Sequence, residues 1–197
     1  PSFFNAYGPT EASIAVAMSR ALTAGSPVHI GGPIDGVGLL VLDGRLHPVP
    51  VGVPGDLYAT GVALARGYLR RPSLTSERFV ASPFGDRGDR MYRTGDVVRW
   101  RRTEADELVL EYVGRSDDQV KLRGLRIELG EIAAVLESHP GISSAVVVGV
   151  GGSVASALAG YVVAHGSVDV ASLRDHVAER LPSHMVPSSI TVLDALP

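Results

Sequence analysis

Apolar and polar positions change their rhythm partway along the chain. From residue 31 to about 113, short apolar runs recur at 38–42, 56–60, 91–93, 97–100 and 108–113, separated by Gly- and Pro-rich turn signals. That spacing predicts short strands in a sheet or open barrel. Ahead of them lie a polar turn at 5–11 and a mostly apolar stretch at 12–28. Residues 74–79, following Pro72, predict one or two helical turns.

Past Gly114 the pattern alternates and then turns helical. Residues 119–123 and 126–127 alternate polar and apolar around Gly124, which predicts a small hairpin. Leu129, Ile132, Ala133 and Leu136 share one helix face, and Pro140 closes that helix. Apolar, β-branched runs at 145–150 and 158–164, joined by Gly151-Gly152-Ser153, predict a strand pair. Asp169 suits the N-cap of a second helix carrying Val170, Leu173, Val177 and Leu181 inward, ended by Pro182. Residues 189–193 complete the set as a strand. The expected fold class is α/β (mixed α+β): a Gly/Pro-rich, β-barrel-like portion over residues 1–116, then a small α/β unit over 117–197.

Composition narrows the function classes. A net charge of −3 argues against a general phosphate-backbone binder, which needs a clustered positive surface. No apolar run approaches the roughly 20 residues of a bilayer span, and no signal-peptide pattern is present, so neither nucleic acid nor membrane is an expected partner and a cytoplasmic location is expected. The opening Pro1-Ser2-Phe3-Phe4 lacks Met and reads as mid-domain sequence. With no cysteine, any thiol chemistry belongs to a partner. The six histidines lie far apart, without helical ligand spacing, so a histidine metal site is not expected. Arg99, Arg101 and Arg102, interrupted by Trp100, read as a solvated edge.

Three strings carry chemistry. Asn5-Ala6-Tyr7-Gly8-Pro9-Thr10-Glu11 has a bland reading: a Gly-Pro turn with Thr10 and Glu11 starting a helix. It also combines an aromatic face that can stack on a purine, a hydroxyl for phosphate and a hard oxygen ligand for Mg²⁺. Met91-Tyr92-Arg93-Thr94-Gly95-Asp96 reads blandly as a strand ending in a Gly-Asp turn; functionally, Asp96 could accept two vicinal hydroxyls, as a carboxylate does for a ribose. The third string, 114–132, is a charged, glycine-punctuated hairpin feeding a helix.

Together these strings resemble the core motifs of nonribosomal peptide synthetase adenylation domains, within the adenylate-forming superfamily. The segment 51–79, with Leu-Ala-Arg-Gly-Tyr inside it and Arg78-Phe79 at its end, and the late Leu181-Pro182-Ser183-His184-Met185-Val186-Pro187 are similar to further family motifs. The resemblance covers essentially the whole chain, with five motifs in family order.

That resemblance implies roles residue by residue. Tyr7 would stack on adenine and Asn5 would meet its edge. Gly8 belongs to the same nucleotide-binding turn, Thr10 would touch phosphate, and Glu11 would help hold Mg²⁺. Asp96 would bind the ribose hydroxyls, with Tyr112 beside the nucleotide and Arg115 on ribose or phosphate oxygens. Asp117 falls on the family's hinge position. Gly124 would line the path of a pantetheine thiol. Ala6, Ile14 and Ala15 correspond to the amino-acid side-chain pocket, with core packing as the plain alternative for Ile14 and Ala15. The implied substrates are ATP and an amino acid, with Mg²⁺; the implied partners are a peptidyl carrier protein bearing phosphopantetheine, and neighbouring synthetase domains.

Departures from the family pattern are mild: Asp56 where Glu is commoner, Ala133 where another acid is frequent, His184 where an aromatic is. The phosphate loop and the acidic partner of the substrate amine are expected upstream, and the catalytic lysine is expected beyond Pro197, so the 197-residue chain alone is expected to be inactive. Lys121 is not that lysine. Two alternatives remain at this point: an acyl-CoA or fatty-acyl-AMP ligase of the same superfamily, and a non-catalytic carrier-protein-binding module.

Overall fold

The computed structural model describes residues 2–117, 119–122, 124–151 and 154–196. It divides into two compact units, Pro1–Ser116 and Asp117–Pro197.

The first unit is built from strands. β1 (Ala6–Tyr7), β2 (Ala17–Met18) and β3 (Gly32–Pro33) form a small antiparallel sheet. Larger strands follow: β4 (Val37–Leu42), β5 (Gly55–Gly61), β6 (Phe79–Ala81), β7 (Arg90–Arg102) and β8 (Leu108–Arg115). They assemble in the order β4-β5-β7-β6, with β8 also on β7, all antiparallel, and curl into an open half-barrel. Backbone hydrogen bonds tie residues 30–31 to Leu110, joining the end of the leading segment to β8. Alternation explains the core. Leu39, Val41, Leu57, Ala59, Val98 and Leu110 point inward and pack with Ala12, Val16, Ala17 and Ile30, which hides apolar area that water would otherwise have to surround. The helix α1 (Pro72–Arg78) starts on a proline, whose fixed φ and missing N–H suit a first turn.

Two expectations need correction. No helix follows Glu11: Thr10–Ala12 makes a single 3₁₀ turn, ended by Ser13 and Ile14 at φ 58° and 75°. The predicted runs at 91–93 and 97–100 are one strand, β7. Gly95 adopts φ 77° inside it rather than ending it, because a glycine without Cβ takes the positive φ of an irregularity in the β5–β7 ladder, which resumes at Val97.

The second unit begins with the hairpin of β9 (Gln119–Leu122) and β10 (Leu125–Glu128), in which Leu122 faces Leu125. Helix α2 (Leu129–Glu137) leads to β11 (Ile142–Val150), the short β12 (Val154–Ala155) and β13 (Ala157–Ala164). Helix α3 (Val170–Ala178) then leads to β14 (Ser189–Leu193). β11 and β13 pair antiparallel, β14 joins β13 in parallel, and β12 adds to β9. Leu129, Ile132 and Leu136 of α2 and Leu173 and Val177 of α3 enter one core with Ile142, Leu158 and Val162. Asp169 caps α3 by accepting from the Ala171 and Ser172 N–H groups, which satisfies donors that a first turn leaves unpaired. Leu181 lies beyond the helix, though its N–H still reaches the Val177 carbonyl. Arg123 of the hairpin turn, Asp118, and the Gly152-Ser153 part of the predicted strand connection lie outside the described residues.

Candidate nucleotide-binding site

The site in the first unit centres on one carboxylate. Asp96 stands on β7 directly across from Arg115 on β8. Arg115 Nη1 donates to Asp96 Oδ1 across 2.8 Å, and its Nη2 donates to the Thr94 carbonyl across 3.2 Å. The Tyr7 hydroxyl donates to the other oxygen, Oδ2. Thr94 completes the arrangement: its Oγ1 donates to the Leu57 carbonyl at 2.9 Å and accepts the Asp96 N–H at 3.0 Å. The side chains of Asp96 and Arg115 are only 5% and 9% exposed, so the ion pair sits out of water and each partner depends on the other. Burial, followed by the neighbouring Asp96 charge, holds the Tyr7 phenol far above its ordinary 10.0, and Tyr7 stays protonated.

The loop from Tyr7 to Val16 is folded tightly. The Val16 N–H returns to the Tyr7 carbonyl at 2.8 Å. A Cβ on Gly8 would lie 2.5 Å from the Ile14 carbonyl oxygen and 2.7 Å from Ala15 Cα, so only glycine fits this approach without displacing the loop. Asn5 anchors the loop's start: its Nδ2 donates to the His29 carbonyl at 2.9 Å, and its backbone pairs with Ser19 on both sides. Thr10 is exposed on the following turn. Glu11 is partly buried, and its Oε1 accepts the Tyr68 hydroxyl at 2.7 Å. Tyr68 in turn lies 3.4 Å from the Tyr92 hydroxyl. Burial, then these two hydrogen bonds, pushes its phenol up strongly.

The remaining expected residues stand on separate elements. Ala6 and Ile14 are exposed, Ile14 by 80%, so Ile14 is not a core residue of this unit; Ala15 is half-buried. Tyr112 is half-buried on β8, across from Val98, against the unit's core. Asp117 opens the second unit, where its Oδ1 accepts the Gln119 N–H at 3.4 Å. Gly124 turns the β9–β10 hairpin at φ 83°, and apart from its chain neighbours no described atom lies within 4 Å of where its Cβ would stand. Its glycine requirement is therefore conformational rather than steric. Arg99 and Arg101 pair with Glu111, and Arg102 pairs with Asp106, so this arginine run answers to its own carboxylates.

Two residues escaped the reading of the sequence. Tyr68 sits inside a motif that marks it only by composition, 57 positions from Glu11. Thr94 hides within the Asp96 string, and nothing in its spacing announces that it would bond both Leu57 and Asp96. Among the described residues no three His, Asp or Glu side chains cluster as a metal site.

The AMP-binding enzyme model matches residues 1–69, and the AMP-binding enzyme C-terminal domain model matches residues 131–197. This chain belongs to the AMP-binding enzyme family. As a member of the AMP-binding enzymes it is 51% identical over 199 residues to a dimodular nonribosomal peptide synthase of Bacillus subtilis, covering all of this chain and 8% of that protein. The Vibrio cholerae adenylation domain AlmE, solved in complex with glycyl-adenosine-5'-phosphate, superposes with a TM-score of 0.82 at 29% identity, over 100% of this chain and 38% of AlmE. NpsA-ThdA from Klebsiella oxytoca, an artificially fused adenylation–PCP di-domain, gives 0.75 at 29% identity, over 96% of this chain and 35% of its own. The chain thus spans well under half the length of the relatives it matches.

Proposed function

We propose that this chain supplies the ribose-binding face and the small C-terminal unit of an ATP-dependent amino-acid-activating domain in nonribosomal peptide synthesis. The observation that carries the reading is the convergence of Tyr7 and Arg115, from opposite ends of the first unit, on the two oxygens of Asp96. The likeness to a domain holding glycyl-adenosine-5'-phosphate supports it.

In this reading the Asp96 carboxylate accepts the ribose hydroxyls, while Arg115 neutralises its charge and stays poised for ribose or phosphate oxygens. The Tyr7 ring offers a stacking face for adenine. Asn5 keeps its side-chain carbonyl for the adenine amine after committing Nδ2 to His29, Gly8 holds the turn, and Tyr112 stands beside the nucleotide. Thr10, exposed on its turn, meets phosphate. Glu11 suits Mg²⁺ as a hard oxygen ligand that Tyr68 already orients. Held there, Mg²⁺ would supply charge neutralisation to the phosphates. Ala6, Ile14 and Ala15 contribute to the amino-acid side-chain pocket.

Two steps follow. An amino-acid carboxylate oxygen forms a bond to the α-phosphorus of ATP as the bond to pyrophosphate breaks. A carrier-protein phosphopantetheine sulfur then bonds to the acyl carbon, its proton passes to solvent, and AMP leaves. The two units, 1–116 and 117–197, are read as the end of the large AMP-binding subdomain and the small subdomain, with Asp117 as their pivot and Gly124 on the thiol's path. Location in the cytoplasm is the accompanying expectation; no described helix is long and apolar enough to cross a membrane.

The test is acid-dependent ATP–pyrophosphate exchange by the intact adenylation domain that includes these residues. Amino acids should support exchange and fatty acids should not; the reverse result overturns the assignment.

A further inference from the structure

Asp96 already has a donor on each oxygen, Arg115 on Oδ1 and Tyr7 on Oδ2, and only 5% of its side chain is exposed. Each oxygen keeps a second lone pair, but the carboxylate is enclosed, and a ribose diol reaches it most directly by displacing a partner it now holds. The two partners differ in how firmly they are placed. Arg115 carries a full charge opposite Asp96, bonds the Thr94 carbonyl as well, and is nine-tenths buried. Tyr7 contributes a neutral hydroxyl, which Thr94 also engages, from the two-residue strand β1, and the residue as a whole stays partly exposed although its hydroxyl end is enclosed.

We propose that the Tyr7 hydroxyl is a built-in stand-in for a ribose hydroxyl: it caps Asp96 in the nucleotide-free protein and gives way when the nucleotide binds. The proposal rests on the reading of Asp96 as the ribose acceptor. Its consequence is that nucleotide affinity is set by an exchange. The ribose hydroxyl replaces a hydrogen bond that the empty protein already makes, so the net gain is the difference between the two bonds. Such a cap keeps a buried carboxylate satisfied in the free state and lets AMP depart by the reverse exchange. Tyr7 thus has two separable parts, a ring that the nucleotide uses and a hydroxyl that competes with it.

The separation makes the test direct. Tyr7→Phe keeps the ring and removes the cap. Titration calorimetry on the intact adenylation domain, with AMP, 2′-deoxy-AMP and 3′-deoxy-AMP as ligands, should find Tyr7→Phe binding AMP about tenfold more tightly than the wild type, the worth of one hydrogen bond to a charged group. The gain should fall to roughly twofold or less with the deoxy analogue that lacks the replacing hydroxyl. Equal or weaker AMP binding by Tyr7→Phe overturns the proposal, and so does an equal gain for all three nucleotides, since the hydroxyl then acts on something other than Asp96 and ribose. A wild type that binds AMP and both deoxy analogues alike removes the ribose reading itself, and the cap with it.

Discussion

Arg115 and Asp96 face one another across the β7–β8 ladder, 2.8 Å apart and almost wholly buried, although 19 positions separate them in the chain. A buried pair of this kind costs much of its attraction in lost hydration, yet removing one member strands the other charge. Arg115→Ala should therefore destabilise the first unit by about 3 kcal/mol. Arg115→Lys should cost less, keeping the charge but losing the fork that reaches both Asp96 and Thr94. The single tryptophan, Trp100, lies on β7, so urea unfolding followed by its fluorescence reports on this unit. An unchanged midpoint for Arg115→Ala would sink the claim.

Tyr68→Phe removes the hydroxyl that holds Glu11 Oε1. The stability loss should be about 1.5 kcal/mol, the lower end for a hydrogen bond to a charged group. If Glu11 holds Mg²⁺ as proposed, the Mg²⁺ concentration giving half-maximal exchange by the intact domain should rise about threefold or more, because a ligand that loses an orienting partner binds metal less well. A Mg²⁺ titration superimposable on the wild type's removes Tyr68 from this role.

Alkaline pH acts on Tyr7. Its folded phenol is raised above 10.0 by burial and by Asp96, so its contribution is fully present below pH 10.0 and declines above it, where the unfolded chain releases the proton and the folded one does not. Melting temperatures should fall above about pH 10, and the fall should be shallower in Tyr7→Phe. Parallel curves for the two proteins would show that Tyr7 contributes nothing to the alkaline limb.

Two glycines should respond differently to alanine. Gly124→Ala meets no atom and suffers only the left-handed backbone at φ 83°, a cost of about 1 kcal/mol. Gly8→Ala drives a methyl against the backbone of Ile14 and Ala15 and should cost about 2–3 kcal/mol. It should also disturb Tyr7, which Gly124→Ala leaves alone. Circular dichroism melts of both variants check the order.

Much of the fold was legible. The short apolar runs of β4, β5 and β8, the hairpin turning at Gly124, the α2 stripe of Leu129, Ile132 and Leu136, and the Asp169 cap all follow from patterns among residues close in sequence. The failures share a cause. Thr10 and Glu11 looked like a helix start, but Gly8 lets the chain fold straight back on itself. Gly95-Asp96 looked like a turn, but the strands that pair with β7 on either side of Gly95 carry the strand through it.

The sequence by itself nominated the side chains proposed to serve an adenine nucleotide, because stacking, phosphate contact and carboxylate acceptance are properties of residue type within short strings. It could not determine who holds whom. Asp96 meets Arg115 because the β7–β8 register slips by one residue between Val97 and Val98; without that slip Asp96 would stand opposite Gly114. Tyr7 reaches Asp96 from 89 positions away and Tyr68 reaches Glu11 from 57. Such pairings depend on register and on burial from water, which exist only once the strands have assembled around a shared core.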